Sequence, residues 1–206
     1  MTGAILHGVI LAFGLIIPLG VQNVFVFNQG ALQPKFSRAL PVVITAGICD
    51  TILIVVAVSG VSLLVLTFAW LENIIFGVGI VFLLYMGSVL WRTTVSTTGV
   101  EGQTISMKRQ IIFAASVSLL NPHAILDTIG VIGTNSLSYS GDVRVAFALT
   151  TISVSWLWFL GLAVAGRYFS KLDPSGKLMA LLNKVSALVV WTVAIYMVIR
   201  LIGNIG

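Results

Sequence analysis

The sequence predicts an all-α polytopic membrane protein, with six transmembrane helices arranged as two inverted three-helix repeats and helices 1 and 4 interrupted by proline. Three observations lead there. Of 206 residues, 58% are hydrophobic and only 8% are Asp, Glu, Lys or Arg, and the mean hydropathy is +1.11. A soluble domain carries roughly 25% charged residues, so a chain this poor in charge cannot cover a folded surface in water. The apolar residues also fall into stretches of the length that a hydrocarbon core about 30 Å thick requires of a helix. Finally, two of those stretches are broken by proline next to amides and acids.

Taken in order, the predicted spans are Ala4 to Gln29, Leu40 to Gly60, a third from Val61 or later to Trp91, Ile111 to Asn135, Val145 to Gly166 and Leu178 to Ile202. Leu40 to Trp91 is too long for one span and too apolar for a soluble linker, which is why it divides. Five spans remain an alternative if the first segment is re-entrant. No Lys or Arg precedes the first apolar run and no small-residue cleavage site follows it, so it is expected to be a retained span and not a signal peptide. The whole chain, 1–206, is expected to form one domain, with repeat one at about 1–92 and repeat two at about 109–206. It has no room for a nucleotide-binding fold and no GxxxxGK[ST] loop.

The charge of +5 does not point to nucleic acid, because the basic residues sit in short gaps between apolar runs. Lys35 and Arg38 lie in connection one, Arg92, Lys108 and Arg109 in connection three, and Arg167, Lys171, Lys177 and Lys184 in or beside connection five. Only Arg144 and Arg200 fall on the other side. By the positive-inside rule, connections 1, 3 and 5 are cytoplasmic and both termini outside. Glycines in the spans permit close helix packing and allow a homodimer without specifying one. The one cysteine, Cys49, excludes an intrachain disulfide.

The first break is Pro18-Leu-Gly-Val-Gln22-Asn23; the second is Asn121-Pro122-His123 with Asp127 four residues on. Proline removes a backbone donor and clashes with the preceding turn. The groups it frees survive at membrane depth only where they line a cavity or are buried in protein. Matched broken helices in the two halves of a transporter point to its binding site. Of six carboxylates, only Asp50 and Asp127 sit well inside apolar segments. Each costs at least about 2.5 kcal/mol to place there, so both are candidates for binding a cation or a proton, against a structural pairing with a neighbouring helix.

Gln22, Asn23 and Asn121 are candidates for holding the polar groups of a substrate; Asn28 and Gln29 fit interhelical hydrogen bonding better. His123 is either a proton relay or a neutral histidine bonded to a carbonyl freed by Pro122. Trp156 and Trp158, mid-way along the fifth segment, either wall the cavity or simply pack. His7, His123, Cys49 and the acids show no metal-ligand spacing, and no cofactor is indicated. Without an HExxH or GxSxG motif the chain is not expected to be an enzyme. A scaffolding role gives no reason to keep two buried acids.

Four blocks carry a resemblance: GVQNVFVFNQG (Gly20 to Gly30), CDTILI with Asp50, SLLNPHAILDTIGVIG (Ser118 to Gly133) and SWLWF (Ser155 to Phe159). In order and spacing, over nearly the whole chain, they resemble the LysE-type lysine/arginine exporter family, basic amino acid branch. The resemblance implies a multi-pass protein of the bacterial cytoplasmic (inner) membrane that exports lysine or arginine, with the amino acid, protons and the lipid bilayer as its partners. It carries the family's polar motif positions onto Gln22, Asn23, Asp50, Asn121, Pro122 and Asp127. Where the family usually reads Gly-Pro-Gln-Asn, this chain has Gly20-Val21-Gln22-Asn23, its proline displaced to Pro18. Related branches export neutral amino acids such as threonine or homoserine.

Overall fold

A computed structural model of the chain describes residues 1–17, 20–61, 69–92, 106–172 and 177–205. Among them every regular element is helical. The order is α1 (Thr2–Ile16), α2 (Val21–Leu32), a single 3-10 turn at Phe36–Arg38, then α3 (Leu40–Val56), which widens into a π turn at Ala57–Val61. α4 (Ala69–Arg92), α5 (Met107–Leu119) and α6 (Pro122–Asp127) follow, the last continuing through a π turn at Thr128–Gly133 and a short turn at Thr134–Ser136. α7 (Gly141–Leu172) and α8 (Lys177–Ile205) complete the chain.

Local chemistry explains the boundaries. Pro41 sits in the first turn of α3, where its missing N–H would have had no helical partner anyway. The π turn that follows α3 contains Gly60 at a φ of 89°, a conformation that glycine enters without a Cβ clash. The carbonyl of Val58 freed there accepts a hydrogen bond from Nη2 of Arg144 on α7.

Two predicted spans are built differently from an ordinary membrane helix. The first segment is two helices whose axes turn by 82°. The fourth, expected over Ile111 to Asn135, ends as α5 at Leu119 and restarts as α6 at Pro122. Among the described residues, Leu40–Gly60, Gly141–Leu172 and Ala180–Ile199 are long and apolar enough to cross a membrane, with a fourth if α1 and α2 count as one bent span. α7 runs beyond both ends expected for it, at 32 residues, about 48 Å at 1.5 Å per residue.

The outside is apolar. On α3, Ile44, Ile48, Ile52 and Val55 form an exposed stripe, while Val43, Ala46 and Ile54 are buried. A face of this kind suits lipid, not water.

The molecule packs around α2. Nine of its twelve residues are buried: Val21, Asn23, Val24, Phe25, Val26, Asn28, Gln29, Gly30 and Ala31. Val21 and Val24 join a core cluster with α4 and α8. Phe25 and Val26 join another with α3, α5 and α7. α2 and α7 meet backbone to backbone: a Cβ on Gly30 would run into the carbonyl of Ala163, and one on Gly166 into that of Phe27. Below this crossing, Arg167 donates to the carbonyls of Gln33 (2.6 Å) and Pro34 (2.8 Å), fixing the end of α2. Asn28 Nδ2 donates to Asn183 Oδ1 of α8 at 2.6 Å, the interhelical role expected of it.

Candidate functional site

The α1–α2 break and the α5–α6 break meet at one cavity of about 200 Å³. α2 begins at its edge. Gly20 precedes the helix in extended conformation, and no side chain caps the first turn. The positive end of the helix dipole is therefore presented at the rim. The polar wall holds Gln22 and Asn23 from α2, Asp50 from α3, Asn121 and Asp127 around α6, and Ser155 from α7. The apolar lining includes Leu83 from α4 and Val189, Val190 and Val193 from α8.

Within the polar wall the hydrogen bonds divide the labour. Asn23 Nδ2 donates to the carbonyl of Ile16 at 2.6 Å. That carbonyl belongs to the end of α1, where the helix has run out of amides, so Asn23 holds the broken segment together. Gln22 turns the other way and donates from Nε2 to Asp50 Oδ1 at 3.4 Å. Ser155 lines the same wall, its hydroxyl near the Asp50 carboxyl. Asp50 and Asp127 are both partly exposed and both line the cavity.

The sequence spreads Gln22, Asn23, Asp50, Asn121 and Asp127 over half the chain, and the fold brings all five to this cavity. Pro18 and the side chains of Pro122 and His123 lie outside the described residues. Trp156 and Trp158, considered as cavity wall, are not among the described lining residues. Trp156 packs on Gly47 of α3 and donates from Nε1 to Thr51 Oγ1 at 3.1 Å. Trp158 packs edge-on against Phe13, ring centres 6.2 Å apart.

Ser155 and Thr128 are the polar lining residues that sequence reasoning passed over. A serine or threonine inside an apolar helix usually bonds its own backbone one turn back, as Ser153 does to Leu149, so neither stood out by type. The available signal was spacing: Ser155 is four residues before Phe159, and both line the cavity.

The cavity has two acids and, among its described lining residues, no Lys, Arg or His. Among the described residues no three His, Cys, Asp or Glu are grouped to hold a metal ion. The arrangement can bind a cation or a proton at the acids, donate hydrogen bonds from amides, and pack an alkyl stem on the valines.

A family model described as LysE-type translocator matches residues 13–201. The chain belongs to this family. YisU of Bacillus subtilis (strain 168), described as a candidate amino-acid transporter, is 56% identical over 201 residues, covering 98% of this chain and 91% of YisU. The arginine exporter protein ArgO of Shigella flexneri is 32% identical over 193 residues, 92% of this chain and 90% of ArgO. ArgO of Escherichia coli (strain K12) is 31% identical over 194 residues, with 92% and 90% covered. No solved structure matches. The relatives and the apolar helices together support a bacterial inner-membrane protein of an amino acid export family. In this LysE-type translocator the GVQN, CD, NPHAILD and SW blocks all contribute to the one cavity, through Gln22, Asp50, Asn121 with Asp127, and Ser155.

Proposed function

We propose that this translocator exports basic amino acids, arginine or lysine, across the cytoplasmic membrane in exchange for protons. The observation that carries the reading is the cavity's charge: Asp50 and Asp127 face it, and no cationic side chain is among the described residues that line it. Two acids at membrane depth are expensive, and a cationic substrate or a proton offsets that cost. Because one carboxylate does not hold both at once, occupancy alternates, and alternation is what makes an antiporter. The substrate's own carboxylate is placed at the uncapped start of α2, where the helix dipole favours an anion, with Gln22 and Asn121 as amide partners. Its methylene stem lies on Val190 and Val193. The name of ArgO, an arginine exporter, agrees with a cationic cargo.

The same reading keeps six spans in two inverted repeats, both termini outside and connections 1, 3 and 5 cytoplasmic. α1 and α2 are then one broken span. Gly8 packs beside Phe147 near the start of α7, and Gln33 is bonded to Arg167 near its end. Twenty residues of helix separate these points, about 30 Å, the thickness of the hydrocarbon core.

The test is counterflow in proteoliposomes loaded with labelled arginine or lysine under an imposed pH gradient. Gradient-dependent movement of either amino acid is the expected result. Movement of threonine or homoserine, with none of arginine or lysine, would transfer the chain to the neutral branch.

A further inference from the structure

Ser155 carries a hydroxyl on α7 and is more than nine-tenths buried at 5% exposure, yet it does not follow its neighbours. Thr150, Thr151 and Ser153 on α7 each bond a carbonyl of their own helix. Ser155 instead lines the cavity together with Asp50 of α3, its hydroxyl near the carboxyl. The next residue explains how that register is held. The Trp156 ring lies flat against Gly47, so close that a Cβ there would come within 2.6 Å of Cε2. Its Nε1 donates to Thr51 Oγ1 at 3.1 Å, and the Thr51 hydroxyl in turn donates to the Gly47 carbonyl at 2.6 Å. Gly47 and Thr51 bracket Asp50 on α3, so Trp156 fixes one turn of α3 on α7 with Asp50 inside that turn.

We propose that Ser155 is a positioning residue for Asp50, its register set by Trp156, which keeps the acid aimed into the cavity whether it carries a proton or faces a substrate cation. The inference rests on the proton-exchange reading above. A hydroxyl is both donor and acceptor. It donates to the ionised carboxylate and, by rotating, accepts from the protonated acid, so its bond to Asp50 survives the change of state. The Gln22 Nε2–Asp50 contact at 3.4 Å is longer than an ordinary N–H···O bond and comes from a group that only donates. The other titratable side chain on the described lining is Asp127; Cys49, next to Asp50 on α3, is buried. During a cycle Asp50 takes a proton from the outer side, releases it to the cytoplasm and leaves the substrate to travel the opposite way.

The experiment compares two rates in proteoliposomes containing the full chain: arginine–arginine exchange without a pH gradient, which requires no net proton movement, and net arginine movement driven by a gradient. Ser155→Ala removes the hydroxyl and Ser155→Thr restores it. With Ser155→Ala both rates fall, but the ratio of gradient-driven movement to exchange drops at least about tenfold, the scale of losing one hydrogen bond to a charged group. Ser155→Thr recovers the ratio. Trp156→Phe keeps a ring on Gly47, loses only the N–H to Thr51, and lowers the ratio to a smaller degree. An unchanged ratio in Ser155→Ala and Trp156→Phe overturns the proposal, as does a fall in Ser155→Ala that Thr does not reverse. If wild-type protein moves threonine and not arginine, the basic-substrate reading fails, while the same two assays run with threonine still judge Ser155.

Discussion

At the residue scale the chain is decided by where it spends charge. Asp50 and Asp127 are the two acids among the described residues that line the cavity. Replacing Asp127 by Asn keeps the size, exchanges one acceptor oxygen for an NH2 donor and removes the charge, so export should stop while insertion stays intact. Truncating one partner of a buried charge pair costs about 2–5 kcal/mol, and the low end of that range already means a loss of about 30-fold. Asp50→Asn should lose as much. Transport assays on reconstituted protein, with membrane levels checked in parallel, decide it: wild-type rates in Asp127→Asn would remove that acid from the mechanism. The two acids were legible in the sequence because a charge in an apolar run has few benign explanations. Ser155 was not, since a small hydroxyl in a helix is ordinary until its partner on another helix is known. Asn23 was legible as a site residue, but not for its bond to the Ile16 carbonyl, because where a broken helix leaves its last carbonyl depends on the turn that follows.

At the element scale α2 sets the architecture. It is short, buried on nearly every side and rich in amides, a combination that only a helix enclosed by others can hold. Its contact with α7 depends on Gly30 and Gly166, each of which leaves no space for a methyl group beside the opposing backbone. Gly30→Ala should therefore force the helices apart and destabilise the protein by about 1–3 kcal/mol, the usual range for overpacking. Gly161, on the same helix as Gly166 but open on its Cβ side, supplies the control. There alanine should be neutral or slightly stabilising, since it is the better helix former. Thermal melting of the two purified variants in detergent reads the difference, and equal midpoints would mean that α2 and α7 do not rely on their close approach. The existence of these elements was readable from apolar runs, and the breaks from their prolines and amides. The 82° turn between α1 and α2 was not readable, because direction after a break is set by what the second piece packs against. Here that is α7 at Ala163 and Gly166, far from α2 in the sequence.

At the scale of the whole molecule, the proposed topology rests on two independent lines, an electrostatic one for its orientation and a geometric one for the first segment being a span. Nine basic residues fall in or beside connections one, three and five and two fall elsewhere, so for the six proposed spans the positive-inside rule predicts a cytoplasmic side for those connections. The geometric line is that α1 starts beside Phe147 and α2 ends beside Arg167, at opposite ends of α7. A re-entrant loop would return its end to the side where it began, whereas a broken span delivers it to the other. Cysteine labelling separates the two. In a Cys49→Ala background, Gly3→Cys and Ser37→Cys are both exposed positions flanking the α1–α2 pair. In intact cells a membrane-impermeant maleimide should label Gly3→Cys and leave Ser37→Cys unmodified until the cells are opened. Labelling of both from outside would make the first segment re-entrant and restore the five-span alternative. With an odd number of spans the two halves would no longer insert in opposite senses, and the matched breaks at Gly20 and Asn121 would lose the inverted symmetry that brings a transporter's half-helices to one midplane site.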